Sequence, residues 1–209
     1  KPLILVDTNI LIHALKDDLL QEISNDDFGS FDWSVERSFH MMLRRQGGKE
    51  TFLSIPPAAL GEFKNRTKNP DVVLNLFHDV YIDRKEWKKK ITFKFLKERV
   101  TKICESFSTW PQEKYSKERN NIPLEEFLEK HEKIFDLVDE QKRRRSEEIP
   151  PRTEINGKDI YPERGDMDIM CDAALLASSP LQEIGSILVA TRDSDFRLVS
   201  RALEEEYGF

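Results

Sequence analysis

The chain has 209 residues, a net charge of −6 and a pI of about 5.4. Hydrophobic residues make up 38% of it and charged residues 34%, which is enough apolar material for one folded domain. Because acidic residues outnumber basic ones, the net charge of the chain does not attract nucleic acid, and such binding would need a local basic patch. No apolar run approaches the roughly 20 residues needed to span a bilayer. The two cysteines form neither a disulfide framework nor a metal motif, so we expect a cytoplasmic protein.

The predicted elements alternate between strands and helices. In chain order, the sequence predicts a buried strand at 3–6, a helix at 8–15, a helix around 35–43, a strand at 51–55, a helix after 56–57, one long amphipathic helix over 87–107, a helix over 124–138, a loop at 149–157, a helix over 169–177, a strand at 187–190 and a final helix over 196–206. This order is typical of an α/β fold with a parallel sheet. We expect a single domain over 1–209, with 69–158 as a mainly helical insertion or lid.

Carboxylates follow the ends of the predicted strands. Asp7 comes directly after the first strand, Asp193 follows the last one, and Glu62 lies one or two helical turns beyond the second. In open α/β sheets, functional sites form in the crevice at the carboxyl ends of the strands. Asp168 and Asp172 are spaced i and i+4, so they share one face if their segment is helical. The pattern therefore brings several acids toward one edge of the sheet.

Like charges gathered in this way repel one another unless a cation lies between them. Several oxygen ligands suit a hard divalent ion such as Mg²⁺ or Mn²⁺, which lowers the pKa of a bound water and neutralises charge on a scissile phosphate. The acids therefore predict metal-assisted hydrolysis of a phosphodiester. Each of them also has a structural alternative, as a helix cap, a turn residue or a solvated surface residue.

Short segments at both ends of the chain resemble the motifs of PIN-domain nucleases. Residues 6–12 (VDTNILI) are similar to the opening motif of that family, 59–63 (ALGEF) to its second acidic element, and 190–196 (ATRDSDF) to its last element. Residues 164–168 (RGDMD), continuing through 172–174 (DAA), also resemble the related NYN nucleases. The resemblance covers roughly the first third and the last quarter of the chain.

The resemblance implies a PIN-like three-layer sandwich with a central parallel sheet, an Mg²⁺ or Mn²⁺ site and an RNA substrate. The catalytic and metal-binding acids that it implies are Asp7, Glu62, Asp168, Asp172, Asp193 and Asp195. Either Asp168 or Asp172 would be the main third ligand, with a slight preference for Asp168, and Asp195 would be accessory. Asn9, with Thr191 or Ser194, would fix loop geometry or form a hydrogen bond to a carboxylate.

A basic segment lies in the middle of the chain. Between Arg84 and Lys102 there are nine basic and two acidic side chains. The segment predicts either a solvated helix face or a rim that binds phosphates, with Trp87, Phe93 or Trp110 stacking on bases and 142–145 adding charge. The predicted substrate-binding residues are Asn9, Lys88, Lys89, Lys90 and Arg192.

These patterns together predict a divalent-metal-dependent endoribonuclease that cuts single-stranded or structured RNA. Two alternatives stay open, a structure-specific DNA nuclease and a catalytically silent PIN-like module that binds RNA or protein. An antitoxin or other partner protein and a homodimer also stay open. The sequence contains no phosphate-binding loop, dinucleotide fingerprint or serine-hydrolase elbow, so it gives no support to those chemistries.

Overall fold

A computed structural model of the chain describes residues 1–23, 51–78, 82–118, 129–130, 153–155, 158–160, 164–178, 181–193, 196, 200 and 204–205. In chain order its elements are β1 (Pro2–Val6), α1 (Thr8–Ile23), β2 (Phe52–Ser54), α2 (Pro57–Arg66), α3 (Pro70–Leu74), a 3-10 turn (Asn75–Phe77), α4 (Arg84–Lys90), α5 (Phe93–Ser106), α6 (Gln112–Glu118), β3 (Thr153–Ile155), β4 (Lys158–Ile160), α7 (Arg164–Ser178) and β5 (Ser186–Ala190). The alternation of strands and helices confirms the predicted α/β class.

Three of the strands form a parallel sheet in the order β2-β1-β5. Leu3 lies opposite Phe52 on one side and Ile187 on the other, so β1 is the central strand. Its continuous apolar run is what a strand buried on both faces requires. Because the three strands are parallel, their carboxyl ends lie along one edge of the sheet, which we call the carboxyl edge.

The two faces of β1 contribute to different parts of the core. Ile4 and Val6 belong to a large cluster that includes residues of α1 to α5. Leu3 and Leu5 pack instead in a smaller cluster with Trp110. Side chains alternate across a strand, and this alternation accounts for the division. Helix α7 contributes to both clusters, so helices cover both faces of the sheet.

The prediction of one long helix over 87–107 is wrong, because the structure divides this stretch into α4 and α5. Ile91, at the end of α4, has φ −84° and ψ 81°, which is not helical. Thr92 is the N-cap of α5, and its side chain accepts a hydrogen bond from the backbone N–H of Phe95. A capping threonine can end one helix and start the next without disturbing the apolar periodicity.

The described helices of the segment 69–158 pack against the rest of the domain. Val73, Phe77, Leu96 and Ile103 are buried in the same large cluster as the apolar side of α1. Helices α1 and α5 are in direct contact. The boundaries given above for an insertion stay a prediction, but these helices complete the core on one side of the sheet.

Other predicted elements lie partly outside the described residues. The helix around 35–43 lies wholly outside them, and the helix over 124–138 is described only at 129–130, which are helical. The prediction of a loop over 149–157 is wrong at 153–155, because these residues form β3, which pairs antiparallel with β4. The Asn-Gly pair at 156–157 is a sequence signal for a hairpin, and it accounts for the pairing of these two strands. Among the described helices, none has both the length and the apolar character needed to cross a bilayer.

Candidate functional site

Asp7 lies at the carboxyl edge, where β1 passes directly into α1. Its backbone N–H donates to the carbonyl of Ala190 at 3.1 Å, and its own carbonyl accepts from the N–H groups of Ile10 and Leu11. Asp7 therefore occupies the N-cap position of α1. Its side chain does not cap the helix in the usual way, because Oδ1 accepts from the N–H of Thr8 at 2.6 Å and not from the second or third helical residue. The carboxylate is held at the edge of the sheet, with only 3% of the residue exposed.

Thr191 connects Asp7 to the loop that follows β5. Its hydroxyl donates to Asp7 Oδ2 at 2.7 Å and accepts from the N–H of Asp193 at 2.9 Å. Asn9 reaches the same loop, since its Nδ2 donates to Thr191 Oγ1 at 3.4 Å and its Oδ1 accepts from the N–H of Arg192 at 3.2 Å. We call Asp7, Asn9, Thr191, Arg192 and Asp193 the edge network. It ties the start of α1 to the loop after β5.

Glu62 approaches this network from α2. The hydroxyl of Thr8 donates to Glu62 Oε2 at 2.8 Å and also lies 3.3 Å from the carbonyl of Ala59. Arg66, one turn further along α2, pairs with Glu62 Oε1 at 3.0 Å. Glu62 is partly buried and attached to a buried threonine. The side chain of Glu62 is 42% exposed, so it contacts solvent as well as the buried Thr8 hydroxyl.

The three acids influence one another electrostatically. Burial raises the pKa of Asp7 from its ordinary 3.8 to about 6, although the hydrogen bonds from Thr191 and Thr8 lower it in part. The neighbouring charges of Glu62 and Asp193 raise the pKa of Asp7 further. The structure thus brings together acids from residues 7, 62 and 193, which come from three distant parts of the chain.

Asp168 and Asp172 differ in their surroundings on α7. Asp172 is 1% exposed and accepts a hydrogen bond from the hydroxyl of Tyr115, a residue of the smaller core cluster. Asp168 lies one turn nearer the start of α7 and is partly buried. Because a short connection, 181–185 in its described part, joins α7 to β5, the start of α7 lies toward the carboxyl edge. The slight preference for Asp168 over Asp172 as the third ligand stays a prediction.

Two other predicted site residues, Asp195 and Ser194, lie outside the described residues. Within the described part of the chain, no three His, Cys, Asp or Glu side chains form a group that holds an ion as it stands. The donor chemistry is nevertheless that of a hard cation, since Asp7, Glu62 and Asp193 offer only oxygen atoms. A divalent ion therefore fits the donor set, although these side chains are not arranged as a complete ligand shell.

The predicted RNA-binding residues have mixed outcomes. Lys88 is exposed on α4 with Lys89 and Lys90, and it pairs with Asp71 at 2.7 Å. Base stacking on Trp87 and Trp110 is wrong, because both indole rings are buried in the core clusters. Trp87 packs edge to face against Phe77, and Trp110 packs in the same way against Tyr115.

Arg192 is the exposed cation of the edge network, and its guanidinium Nη1 lies 3.3 Å from His13 Nε2. Thr8 is not among the predicted site residues, although it belongs to the same Asp-Thr-Asn segment as Asp7, and the sequence offers it only as a possible helix cap. Its hydroxyl is the direct link between the start of α1 and Glu62. Nothing in the local sequence indicates the contact of Tyr115 with Asp172, since 57 positions separate the two residues.

Comparisons with known proteins identify no relative of the chain. No protein-family model matches it, and neither a curated protein nor a solved structure is significantly similar to it. The resemblance to PIN-domain and NYN nucleases in the segments around Asp7, Glu62 and Asp193 therefore stays a prediction. The geometry of the carboxyl edge is the basis on which a function can be assigned.

Proposed function

We propose that the protein is a PIN-like, divalent-metal-dependent endoribonuclease whose site is the carboxyl edge of the sheet. The observation that carries the proposal is the approach of Asp7, Glu62 and Asp193 at that edge, where hydroxyl donors fix the carboxylates of Asp7 and Glu62. A buried carboxyl group such as that of Asp7, whose pKa is raised by burial and by neighbouring acids, is expensive for a fold to maintain, and such groups cluster at functional sites.

Mg²⁺ or Mn²⁺ would be held by Asp7, Glu62 and Asp193, with Asp168 as the adjoining acid and Asp172 as its alternative. When bound, the ion supplies Lewis-acid chemistry and lowers the pKa of a coordinated water. It also stabilises the charged form of Asp7, which burial alone disfavours.

The chain's own residues orient the acids and contact the substrate. The Thr191 hydroxyl fixes Asp7 Oδ2, and the Thr8 hydroxyl fixes Glu62 Oε2, so two carboxylates have set directions before any ligand arrives. Arg192 is exposed next to them and would bind a phosphate of the substrate. In the proposal the substrate is RNA, as the resemblance implies.

The test is a cleavage assay with fluorescent single-stranded RNA and a DNA of the same sequence, in Mg²⁺, in Mn²⁺ and in EDTA. We expect internal cuts in RNA that require the metal, and a loss of at least about 100-fold in Asp7→Asn and Asp193→Asn. Glu113→Gln is the matched control, because Glu113 is an exposed acid on α6. Cleavage by Asp7→Asn at the wild-type rate would remove Asp7 from the mechanism and refute the proposal.

The same assay separates the alternatives. Cleavage of DNA and not of RNA identifies the structure-specific DNA nuclease. Calorimetry that detects Mn²⁺ binding to the wild type, with no cleavage of either nucleic acid, identifies the catalytically silent module. If the wild-type protein neither binds the metal nor cleaves nucleic acid, the proposed metal site is refuted.

A further inference from the structure

A groove of about 430 Å³ lies between the end of α2 and the start of α5. The residues that line it are Lys64, Thr67, Lys68, Phe93, Lys94, Leu96, Lys97 and Val100. Four of these eight residues are lysines and none is acidic. Leu96 and Thr67 are buried and form the floor, whereas the lysines are exposed on the rim. The groove therefore combines an apolar floor with a positive rim in a protein of net charge −6.

Phe93 is the exposed aromatic ring of this groove. It is 68% exposed, although it lies at the first position of a helix whose other large apolar side chains turn inward. A phenyl ring left in water next to lysines offers a flat surface for stacking, and it is the one aromatic member of the lining. Of the three aromatic residues that the sequence offered for stacking, Phe93 has the required exposure.

The start of α5 adds to the positive field. The helix is 14 residues long, and it has no acidic residue in its first turn. Lys94 lies in that turn, where the helix dipole disfavours a cation. The unpaired N–H groups and positive end of a helix attract anions, so a bound anion would offset this unfavourable placement of Lys94.

We infer that this groove, defined by Lys64, Lys68, Phe93, Lys94 and Lys97, binds a single-stranded segment of nucleic acid. The lysines contact successive phosphates, and one base stacks on Phe93. A small anion would leave the apolar floor empty, whereas each nucleotide supplies both a phosphate and a base. The volume suits a nucleotide, since it lies within the range of small-ligand pockets.

The groove is connected to the carboxyl edge through α2. Glu62 and Lys64 both lie on that helix, and Lys68 follows two positions after its last residue, Arg66. In the proposal, a strand held in the groove continues along α2 toward the acids. The inference rests on the proposed function, which identifies the polyanion as a nucleic acid. It adds that the single-stranded form is the one that the protein recognises.

The test is fluorescence anisotropy with a labelled 12-nucleotide oligouridine in EDTA, which prevents metal-dependent cleavage. Lys97→Glu should weaken binding about tenfold and reduce the slope of log affinity against log salt by about 0.7, the value for one lost phosphate contact. Phe93→Ala should weaken binding about tenfold with an unchanged salt slope, because stacking is not ionic. An oligomer without bases should bind Phe93→Ala and wild type equally.

Two control variants match these changes outside the groove. Lys117→Glu makes the same charge change at an exposed lysine of α6, and Leu188→Ala removes an exposed apolar side chain from β5. Both should bind within twofold of wild type. Equal losses in Lys117→Glu and Lys97→Glu would overturn the inference, because binding would then depend on total charge alone.

Two other outcomes also overturn it. Polyglutamate that binds as tightly as the oligouridine would show that any polyanion suffices, and wild-type affinity in Phe93→Ala would remove the stacking contact. No binding in EDTA, together with metal-dependent cleavage of RNA, rejects the groove and leaves the nuclease function intact. Binding in EDTA without cleavage in Mn²⁺ supports the groove and rejects the nuclease function, so the two failures are distinguishable.

Discussion

Replacing Asp7 by Asn should change the way in which the stability of the protein depends on pH. The pKa of Asp7 rises from 3.8 to about 6 on folding, mainly because of burial. Between these two values the folded chain holds a proton that the unfolded chain has released. The free energy of unfolding therefore falls as pH rises through this window, and the loss is complete above about pH 6. Its full size is about 3 kcal/mol, which is a large part of the stability of a small domain.

The measurement is urea unfolding of wild type and Asp7→Asn at pH 4.5 and pH 7.5 with EDTA present. About 2 of the 3 kcal/mol falls between these two pH values, so the variant should gain about 2 kcal/mol relative to wild type on going from the lower to the higher. An amide in place of the carboxylate also alters the hydrogen bonds to Thr191 and Thr8, but that cost does not depend on pH and cancels in the comparison. Parallel pH profiles for the two proteins would show that Asp7 titrates normally and would refute the reasoning.

Three further predictions concern the same site. Mn²⁺ should raise the Tm of wild type more at pH 7.5 than at pH 5, because protons compete for Asp7 at the lower pH, and an equal rise at both values would exclude Asp7 as a ligand. Thr8→Val keeps the side-chain volume but removes the hydroxyl that donates to Glu62. We expect the free energy of unfolding in urea to fall by about 1 kcal/mol and cleavage to slow about tenfold. An unchanged cleavage rate would show that Glu62 needs no fixed direction. Asp168→Asn should abolish cleavage, whereas Asp172→Asn should chiefly lower the Tm, and the reverse pattern would make Asp172 the ligand.

The strands of the sheet were predictable because each is a short apolar run followed by a turn signal. The predicted strand at 3–6 is β1, and Pro56-Pro57 marks the beginning of α2 as expected. The division of α4 from α5 was not predicted, because the apolar spacing continues through Ile91 and Thr92. A single side-chain cap decides that boundary, and periodicity does not report it.

The candidate site was predictable to the extent that it depends on strand ends. Parallel strands bring their carboxyl ends to one edge, and this topological rule placed Asp7, Glu62 and Asp193 together without any distance information. Asp168 and Asp172 share one face of α7, so their spacing does not distinguish them, and the contact of Asp172 with Tyr115 has no local sequence signal. The groove beside Phe93 depends on contacts between two helices whose positions in the chain differ by about 30 residues, so no local pattern indicates it.

The pairing of β1 with β5 has a consequence for how the protein matures. Thr191, whose hydroxyl bonds to Asp7, lies 184 positions after it, so Thr191 and the strand that completes this side of the sheet are made much later than Asp7. Until β5 pairs with β1, the backbone N–H and C=O groups along that side of β1 have no strand partner. The acids at the carboxyl edge are not yet brought together. A truncated chain that lacks β5 and the loop after it also lacks Thr191 and Asp193, so the proposed metal site cannot assemble in it.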